Sequence, residues 1–274
     1  MKQQAATADY ADTGYMILEG AIAQKQIDSL FDEAVQVCLG RRGSIDGLDA
    51  LESLDESEVL KRIIAIHFPH KLSRILREML FAKPVVSALT RIIGPNVKCM
   101  QSMFFVKHAG RPGQAWHQDE TFIPTPDHSL TGVWIALDRA TVENGCLWVI
   151  PGSHNAGELW PMRDHGDPRY DPTPECYGFP WSEEDAIPVE LKPGDVLLFD
   201  GHLLHRSLNN VCKRGYRRSY VSHYMSADSR LEWTGGVLEK PARDYRDIVL
   251  VAGEDPWAHL GTEDISVPYL RPGN

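Results

Sequence analysis

The chain has 274 residues, of which 43% are hydrophobic and 24% are charged, a composition typical of a globular protein with a large buried core. Its formal net charge of −10 argues against nucleic-acid binding, which needs a basic surface that releases counterions. The five cysteines form no C-x-x-C pair, the N-terminus carries no apolar signal segment, and no run of 18 residues is apolar throughout. These features predict a cytoplasmic protein that does not enter a membrane.

The first 95 residues predict helices. From Ile27 onward, apolar residues recur at the spacing of one helix face, and Gly40 ends the pattern. The stretches SRILREML and PVVSALTRIIG predict two more helices, the second with Pro84 at its start and Gly94 at its end. We therefore expect residues 1–95 to form a mainly helical N-terminal part.

From residue 96 onward the pattern predicts strands. Short apolar or alternating runs are separated by clusters of Gly, Pro, Asn and Asp. Helices followed by many strands indicate an α+β chain whose catalytic part is a sandwich or a jelly-roll barrel. We expect a single domain over 1–274, with a barrel core at 96–228 and a C-terminal wrap at 229–274 that carries no chemistry. The clearest strand candidates are VKCMQSMFFVKH, LTGVWIAL, GCLWVI, AIPVEL, DVLLFD and RRSYVSHYM.

A long segment at 155–187 is rich in Pro, Asp and aromatic residues. A loop of this length within a compact domain is more often a lid or a binding loop than a simple connection, so we expect substrate selectivity to lie here. An ordered surface loop whose aromatic residues serve packing remains the alternative. The side chains concerned are Trp160, Arg163, Tyr170, Tyr177 and Trp181.

The sequence AWHQDETFIP places His117 and Asp119 two positions apart. In an extended strand both would point to the same side, as two ligands of a 2-His-1-carboxylate site for Fe(II). A third ligand could be His202 or His205, which are three apart, so that at most one of them faces the site; His223 on a later strand is a further candidate. A core histidine and a turn aspartate are the ordinary structural alternatives. The histidines in predicted helix ends, loops and turns are discounted: His67, His70, His108, His128, His154, His165 and His259.

The predicted strand 216–225 carries two arginines near its start, Arg217 and Arg218. Because side chains alternate along a strand, one of them can face inward. An inward guanidinium could hold a dicarboxylate through paired hydrogen bonds, as a 2-oxoglutarate site beside iron requires. Two other classes stay open: a metal-dependent hydrolase or isomerase on the same barrel, and a non-catalytic barrel that binds a small molecule.

Taken together, these motifs resemble the phytanoyl-CoA dioxygenase family of Fe(II)- and 2-oxoglutarate-dependent oxygenases. The likeness covers roughly residues 12 to 230. It implies a double-stranded β-helix, a cupin-like jelly-roll barrel with N-terminal helices packed on it. The motifs that carry it are DTGYMILEGAI, QSMFFVK, WHQDE, GVWIALDRATVENGCLWVIPGSH, KPGDVLLFDGHLLHRS and RRSYVSHYMSAD.

The resemblance also implies roles for particular residues. The iron ligands would be His117, Asp119 and His205. Arg217, with Ser207 beside it, would hold the far carboxylate of 2-oxoglutarate, and Arg218 remains an alternative. The further pocket residues implied are Met103 and Trp134.

The implied activity is hydroxylation of a small organic molecule with Fe(II), 2-oxoglutarate and O2, and with release of succinate and CO2. Relatives that halogenate replace the carboxylate ligand with a small residue, so the retained Asp119 favours hydroxylation. The negative net charge and the absence of an obvious Lys/Arg cluster disfavour a coenzyme A thioester as the substrate. We expect a small-molecule substrate, no nucleic acid and no membrane, with the oligomeric state left open.

Overall fold

In the computed structural model the described residues are 10–51, 54–229, 248–261 and 266–273. Three of the helices in these ranges match the predicted ones. The other, α2, was not predicted; the carboxylate of Asp55 caps it by accepting a hydrogen bond from the Glu58 amide at 3.0 Å. A helical turn at 10–13 precedes α1 (Gln24–Cys38), α2 (Glu56–Arg62), α3 (Arg74–Met79) and α4 (Lys83–Ile92).

The described strands are β1 (Tyr15–Leu18), β2 (Ile63–His67), β3 (Val97–His108), β4 (Gln114–His117), β5 (Thr131–Ala136), β6 (Leu147–Val149), β7 (Met162–Arg163), β8 (Glu175–Cys176), β9 (Ile187–Val189), β10 (Val196–Asp200), β11 (His205–Ser207), β12 (Tyr216–Ser226), β13 (Val249–Ala252) and β14 (Tyr269–Pro272). They form three antiparallel sheets. The large sheet has the order β1-β10-β5-β12-β3-β2-β14, with β13 also paired to β3; the small sheet has the order β4-β11-β6-β9, and β7 pairs with β8 in a third sheet of two strands.

Alternation along the strands gives the large sheet two apolar faces. One face packs against the helices. There the hydroxyl of Tyr220 donates to the carbonyl of Leu76 within α3 at 2.9 Å, and that of Tyr224 donates to the carbonyl of Leu80 just after α3 at 3.1 Å. The other face, with Met103 and Val221, packs against the small sheet through residues such as Val149. Side chains alternate between the two faces of a strand, so a sheet with two apolar faces needs a layer packed on each. Here the helices cover one face and the small sheet covers the other, which is the predicted jelly-roll barrel with helices packed on it.

The predicted domain bounds stay a prediction. The N-terminal part contributes β1 and β2 to the large sheet as well as helices, and the C-terminal segment adds β13 and β14. Within the predicted wrap, residues 230–247, 262–265 and 274 lie outside the described residues, as do 1–9 and 52–53 elsewhere. In the described ranges, no helix combines the length and apolarity that crossing a membrane requires.

Candidate metal centre and active-site cavity

The three predicted iron ligands converge between two neighbouring strands of the small sheet. His117 ends β4 and pairs in register with His205 at the start of β11, while Asp119 lies in the 3-10 turn that follows β4. The two histidines are buried and Asp119 is nearly so, and one ligand atom from each lies within 4.8 Å of the others. The Asp119 Oδ1 atom is 3.8 Å from His117 Nε2 and 3.6 Å from His205 Nε2.

Backbone carbonyls orient both imidazoles. His117 Nδ1 donates to the carbonyl of Ala115 at 2.7 Å, and His205 Nδ1 donates to that of Leu203 at 3.0 Å. With Nδ1 protonated, each Nε2 carries the lone pair toward Asp119. Burial lowers the pKa of His117 to about 3, with the neighbouring His205 adding to the effect, so the ring is neutral as a metal ligand must be.

The second oxygen of Asp119 is held by His223. His223 Nε2 donates to Asp119 Oδ2 at 2.9 Å, and the Gln101 amide lies 3.3 Å from His223 Nδ1, where it can donate to the ring. Burial acts to raise the pKa of Asp119, but His205 and His223 outweigh it and the pKa lies below its ordinary value. Asp119 is therefore ionised, with Oδ1 directed toward the two imidazoles. His223, the further ligand candidate, instead supports the carboxylate.

The structure also separates the two neighbouring histidines on the β10–β11 connection. His205 faces the triad, whereas the ring of His202 stacks on His128 at 4.7 Å between centroids and 6° between planes. The His202 Nδ1 lies 3.8 Å from the Asp200 carboxylate. Of the pair, His205 is the one placed to bind metal.

Gln118, between two candidate ligands, is a residue that the sequence analysis did not single out. Its side chain is fully buried and donates to the carbonyls of Glu158 at 2.9 Å and His202 at 2.7 Å. Its amide oxygen accepts from the backbone of Trp160 at 2.8 Å. These bonds tie the turn that carries Asp119 to the long loop and to the connection before β11.

At the other end of the site lie two buried cations. Arg217 on β12 pairs in register with Lys107 on β3, so both side chains point to the same face. Lys107 Nζ donates to Ser207 Oγ at 2.9 Å, and Arg217 Nη1 donates to Ser219 Oγ at 3.2 Å. Among the described residues no carboxylate lies within ion-pair distance of either cation, and the buried Arg217 Nε has no hydrogen-bond partner.

Two like charges side by side in the interior are unfavourable unless an anion joins them. Burial lowers the pKa of Arg217 to about 10. Burial, and then the charge of Arg217, lowers the pKa of Lys107 well below its ordinary value. Lys107 was missed, although the alternation Met103, Phe105, Lys107 in QSMFFVK places it on the inward face of β3.

The two candidate arginines face opposite ways. Arg218 points to the helical layer, where it forms an ion pair with Asp138 at 2.6 Å and its guanidinium lies 4.1 Å from the centre of the Phe31 ring. Arg217 points into the barrel, 5.3 Å from the centre of the Trp134 ring. Of the two, Arg217 can reach a ligand in the cavity.

One cavity of about 450 Å³ joins the triad to these cations, a volume typical of small-molecule sites. The residues that the family resemblance implied for 2-oxoglutarate all line it: Met103, Trp134, Ser207 and Arg217.

The long loop reaches the cavity through Asp171 and Thr173. Of the aromatic residues expected to govern selectivity, Trp160 and Trp181 pack with Trp116 in a separate apolar cluster. The Arg163 guanidinium lies 4.9 Å from the centre of the Tyr177 ring, and Tyr170 packs against His165. That this loop governs selectivity stays a prediction.

The C-terminal segment and β2 also contribute, against expectation. Tyr269 and Arg271 on β14 line the cavity, and Arg271 Nη2 binds Asp171 at 2.7 Å and Thr173 at 2.5 Å. His67, discounted as a helix-end or loop residue, ends β2 and lines the cavity too. Local patterns could not show this, because strand pairing between β2 and β14 brings the residues together.

Comparison with known proteins finds a family model, Phytanoyl-CoA dioxygenase (PhyH), that matches residues 10–219. Phytanoyl-CoA dioxygenase 1 of Oryza sativa subsp. japonica is 36% identical over 147 residues, which cover 53% of this chain and 51% of that protein. Phytanoyl-CoA dioxygenase of Arabidopsis thaliana is 32% identical over 165 residues, or 59% of this chain and 56% of that protein. The matches thus span about half the length of these relatives.

Solved structures share the fold. The non-haem monooxygenase ThoJ superposes with a TM-score of 0.69 at 17% identity, covering 97% of this chain and 88% of that one. The non-haem α-ketoglutarate-dependent epimerase SnoN from nogalamycin biosynthesis gives 0.67 at 16% identity, covering 91% and 98%. At 16% to 17% sequence identity, these superpositions show a shared fold only.

Proposed function

The chain belongs to the phytanoyl-CoA dioxygenase family, and from this premise we propose that it is an Fe(II)- and 2-oxoglutarate-dependent dioxygenase that hydroxylates a small organic molecule. The balanced reaction consumes the substrate, 2-oxoglutarate and O2, and releases the hydroxylated product, succinate and CO2. The observation that carries the proposal is one cavity with a His-Asp-His group at one side and, at the other, two buried cations that have no carboxylate partner among the described residues.

The donor set fits Fe(II). Two imidazoles, each with Nδ1 bonded to a backbone carbonyl, direct Nε2 to the site, and one ionised carboxylate offers a single oxygen, since its other oxygen is occupied by His223. Such a set leaves coordination positions for a co-substrate and O2. His117, Asp119 and His205 would hold the iron, which with 2-oxoglutarate would supply the O2-dependent oxidation of a C–H bond.

The cationic end fits the far carboxylate of 2-oxoglutarate. Arg217 offers donors in a planar fork, and Lys107 adds a second charge beside it. Ser207 already accepts from Lys107 and from the Gln114 amide, so its hydroxyl proton is available to a carboxylate oxygen. These three residues would bind and orient the co-substrate.

The remaining cavity residues exclude water and position the reacting groups. Trp134, Phe199 and Val221 give the inner cavity an apolar lining, in which charge–charge interactions are stronger than in water. His223 fixes the direction of the Asp119 carboxylate, and Gln118 anchors the turn that carries Asp119. A metal-dependent hydrolase on this barrel would need the triad but neither buried cation.

The test is anaerobic addition of 2-oxoglutarate to the Fe(II)-loaded protein. A weak visible charge-transfer band should appear in the wild type and in His202→Gln, and should be absent in His205→Ala. Admission of O2 should then yield succinate. Iron binding without the band would reject the 2-oxoglutarate proposal and favour the hydrolase class.

A further inference from the structure

The cavity continues well beyond the residues that would hold iron and 2-oxoglutarate. A single cross-strand row of the large sheet runs Trp134, Val221, Met103, His67, Tyr269, each paired in register with the next. All five side chains line the cavity. With strands about 4.8 Å apart, His67 lies roughly 14 Å along the sheet from Trp134. The outer half of the row is therefore separate from the co-substrate end.

In this outer half, His67 carries a polar ring whose hydrogen-bonding capacity is not used by the described residues. Its ring stacks on Tyr269 at 4.1 Å between centroids and 11° between planes. Its Nδ1 atom is buried and makes no hydrogen bond among the described residues. The imidazole as a whole is half-buried and lines the cavity, so a ligand that hydrogen-bonds to the accessible edge of the ring gains affinity. Burial also lowers the pKa of His67 to about 3, which leaves the ring neutral at physiological pH.

The charges in this half are already engaged. The Arg271 guanidinium holds the Asp171 carboxylate at 2.7 Å, and Arg111 Nε donates to the carbonyl of Lys61 at 2.9 Å. Ile64, Phe122 and Ile123 add apolar side chains to the lining of the cavity as a whole. A neutral imidazole suits a hydroxyl or carbonyl group, while a charged group here would have to displace an existing pair.

We propose that His67 recognises the substrate, and that the substrate is an uncharged molecule with an apolar body and a hydroxyl or carbonyl group that hydrogen-bonds to this imidazole. That the bound molecule is a substrate rests on the proposed function, but the binding site itself does not depend on iron or 2-oxoglutarate. A coenzyme A thioester, the competing ligand class, would carry several negative charges to an outer half in which Arg271 is paired with Asp171 and Arg111 donates to a backbone carbonyl.

The experiment measures binding to the metal-free protein by ligand-observed NMR, with four probes. 2-Naphthol and 1-tetralone carry a hydroxyl and a carbonyl, naphthalene lacks both, and octanoyl-coenzyme A represents the thioesters. The variant is His67→Phe, which keeps a ring against Tyr269 and removes both nitrogens. Circular dichroism and the anaerobic Fe(II)/2-oxoglutarate band verify that the variant is folded.

We expect 2-naphthol and 1-tetralone to bind the wild type and to bind His67→Phe about 3- to 10-fold more weakly, while naphthalene binds both alike. Equal binding of the polar probes to both proteins would overturn the role of His67. Binding of octanoyl-coenzyme A with none of the uncharged probes would overturn the substrate class. If the charge-transfer band is absent but the His67-dependent binding is present, the proposed function fails and this site stands.

Discussion

The matched pair Arg217→Gln and Arg218→Gln separates ligand binding from packing on one strand. Burial lowers the pKa of Arg217 from 12.5 to about 10. This shift means that burial destabilises the charged form of Arg217 by about 3 kcal/mol relative to the neutral form. A carboxylate bound to Arg217 recovers that free energy, and a hydrogen bond to a charged group contributes about 1.5 to 3 kcal/mol. Arg217→Gln should therefore weaken 2-oxoglutarate binding roughly 10- to 150-fold.

The assay is an anaerobic titration of 2-oxoglutarate into the Fe(II)-loaded protein, followed by the visible band. Arg218→Gln should bind 2-oxoglutarate as the wild type does, because Arg218 pairs with Asp138 on the other face of the sheet. Without ligand, Arg217→Gln should be at least as stable to urea as the wild type, since a buried unpaired charge is removed. Unchanged affinity in Arg217→Gln, or an equal loss in Arg218→Gln, would refute the reasoning.

Three further predictions concern supporting residues. His223→Phe removes the hydrogen bond to Asp119 Oδ2 and should lower Fe(II) affinity about 10- to 100-fold in competition with a chelating dye; unchanged affinity would show that His223 does not support the ligand. Gln118→Leu leaves three backbone groups without their partner, one of them buried and two partly buried, and should cost about 2 to 4 kcal/mol in urea unfolding, so a loss below about 1 kcal/mol would contradict the bonding described. Burial lowers the pKa of His67 from 6.5 to about 3, so between these values the unfolded chain binds a proton that the folded chain does not. Wild-type stability should thus fall as pH drops below 6.5, by at most about 2 kcal/mol more than His67→Phe at pH 5 in urea unfolding, and equal losses would contradict the shift.

Much of the fold and part of the site could be predicted from local sequence. The strand β3 was predicted with its observed bounds, 97–108, because a long run of apolar and β-branched residues ends in turn-forming residues. The pair His117 and Asp119 was recognisable because two candidate ligands lie within one short segment. Local patterns left the third ligand open, and only the family resemblance implied His205. The family resemblance is confirmed by the match over residues 10–219.

Other features depend on contacts between segments far apart in the chain. Alternation allowed either arginine of β12 to face inward; pairing with β3 and β5 placed Arg217 in the barrel and Arg218 against the helices. The support of Asp119 by His223 joins residues 104 positions apart.

The sequence by itself predicted the strand pattern, a sandwich or jelly-roll barrel, and the candidate ligands His117 and Asp119, because these follow from side-chain period and residue chemistry within short windows. The family resemblance added the cupin-like double-stranded β-helix and His205 as the third candidate ligand. Tertiary structure decided which faces meet: the long-range pairing of β14, β2 and β3 brought His67 and Tyr269 into the cavity, and packing directed Trp160 away from it. The physical reason is that strand order and register depend on how much apolar surface the whole barrel buries. No single segment of the sequence contains that information.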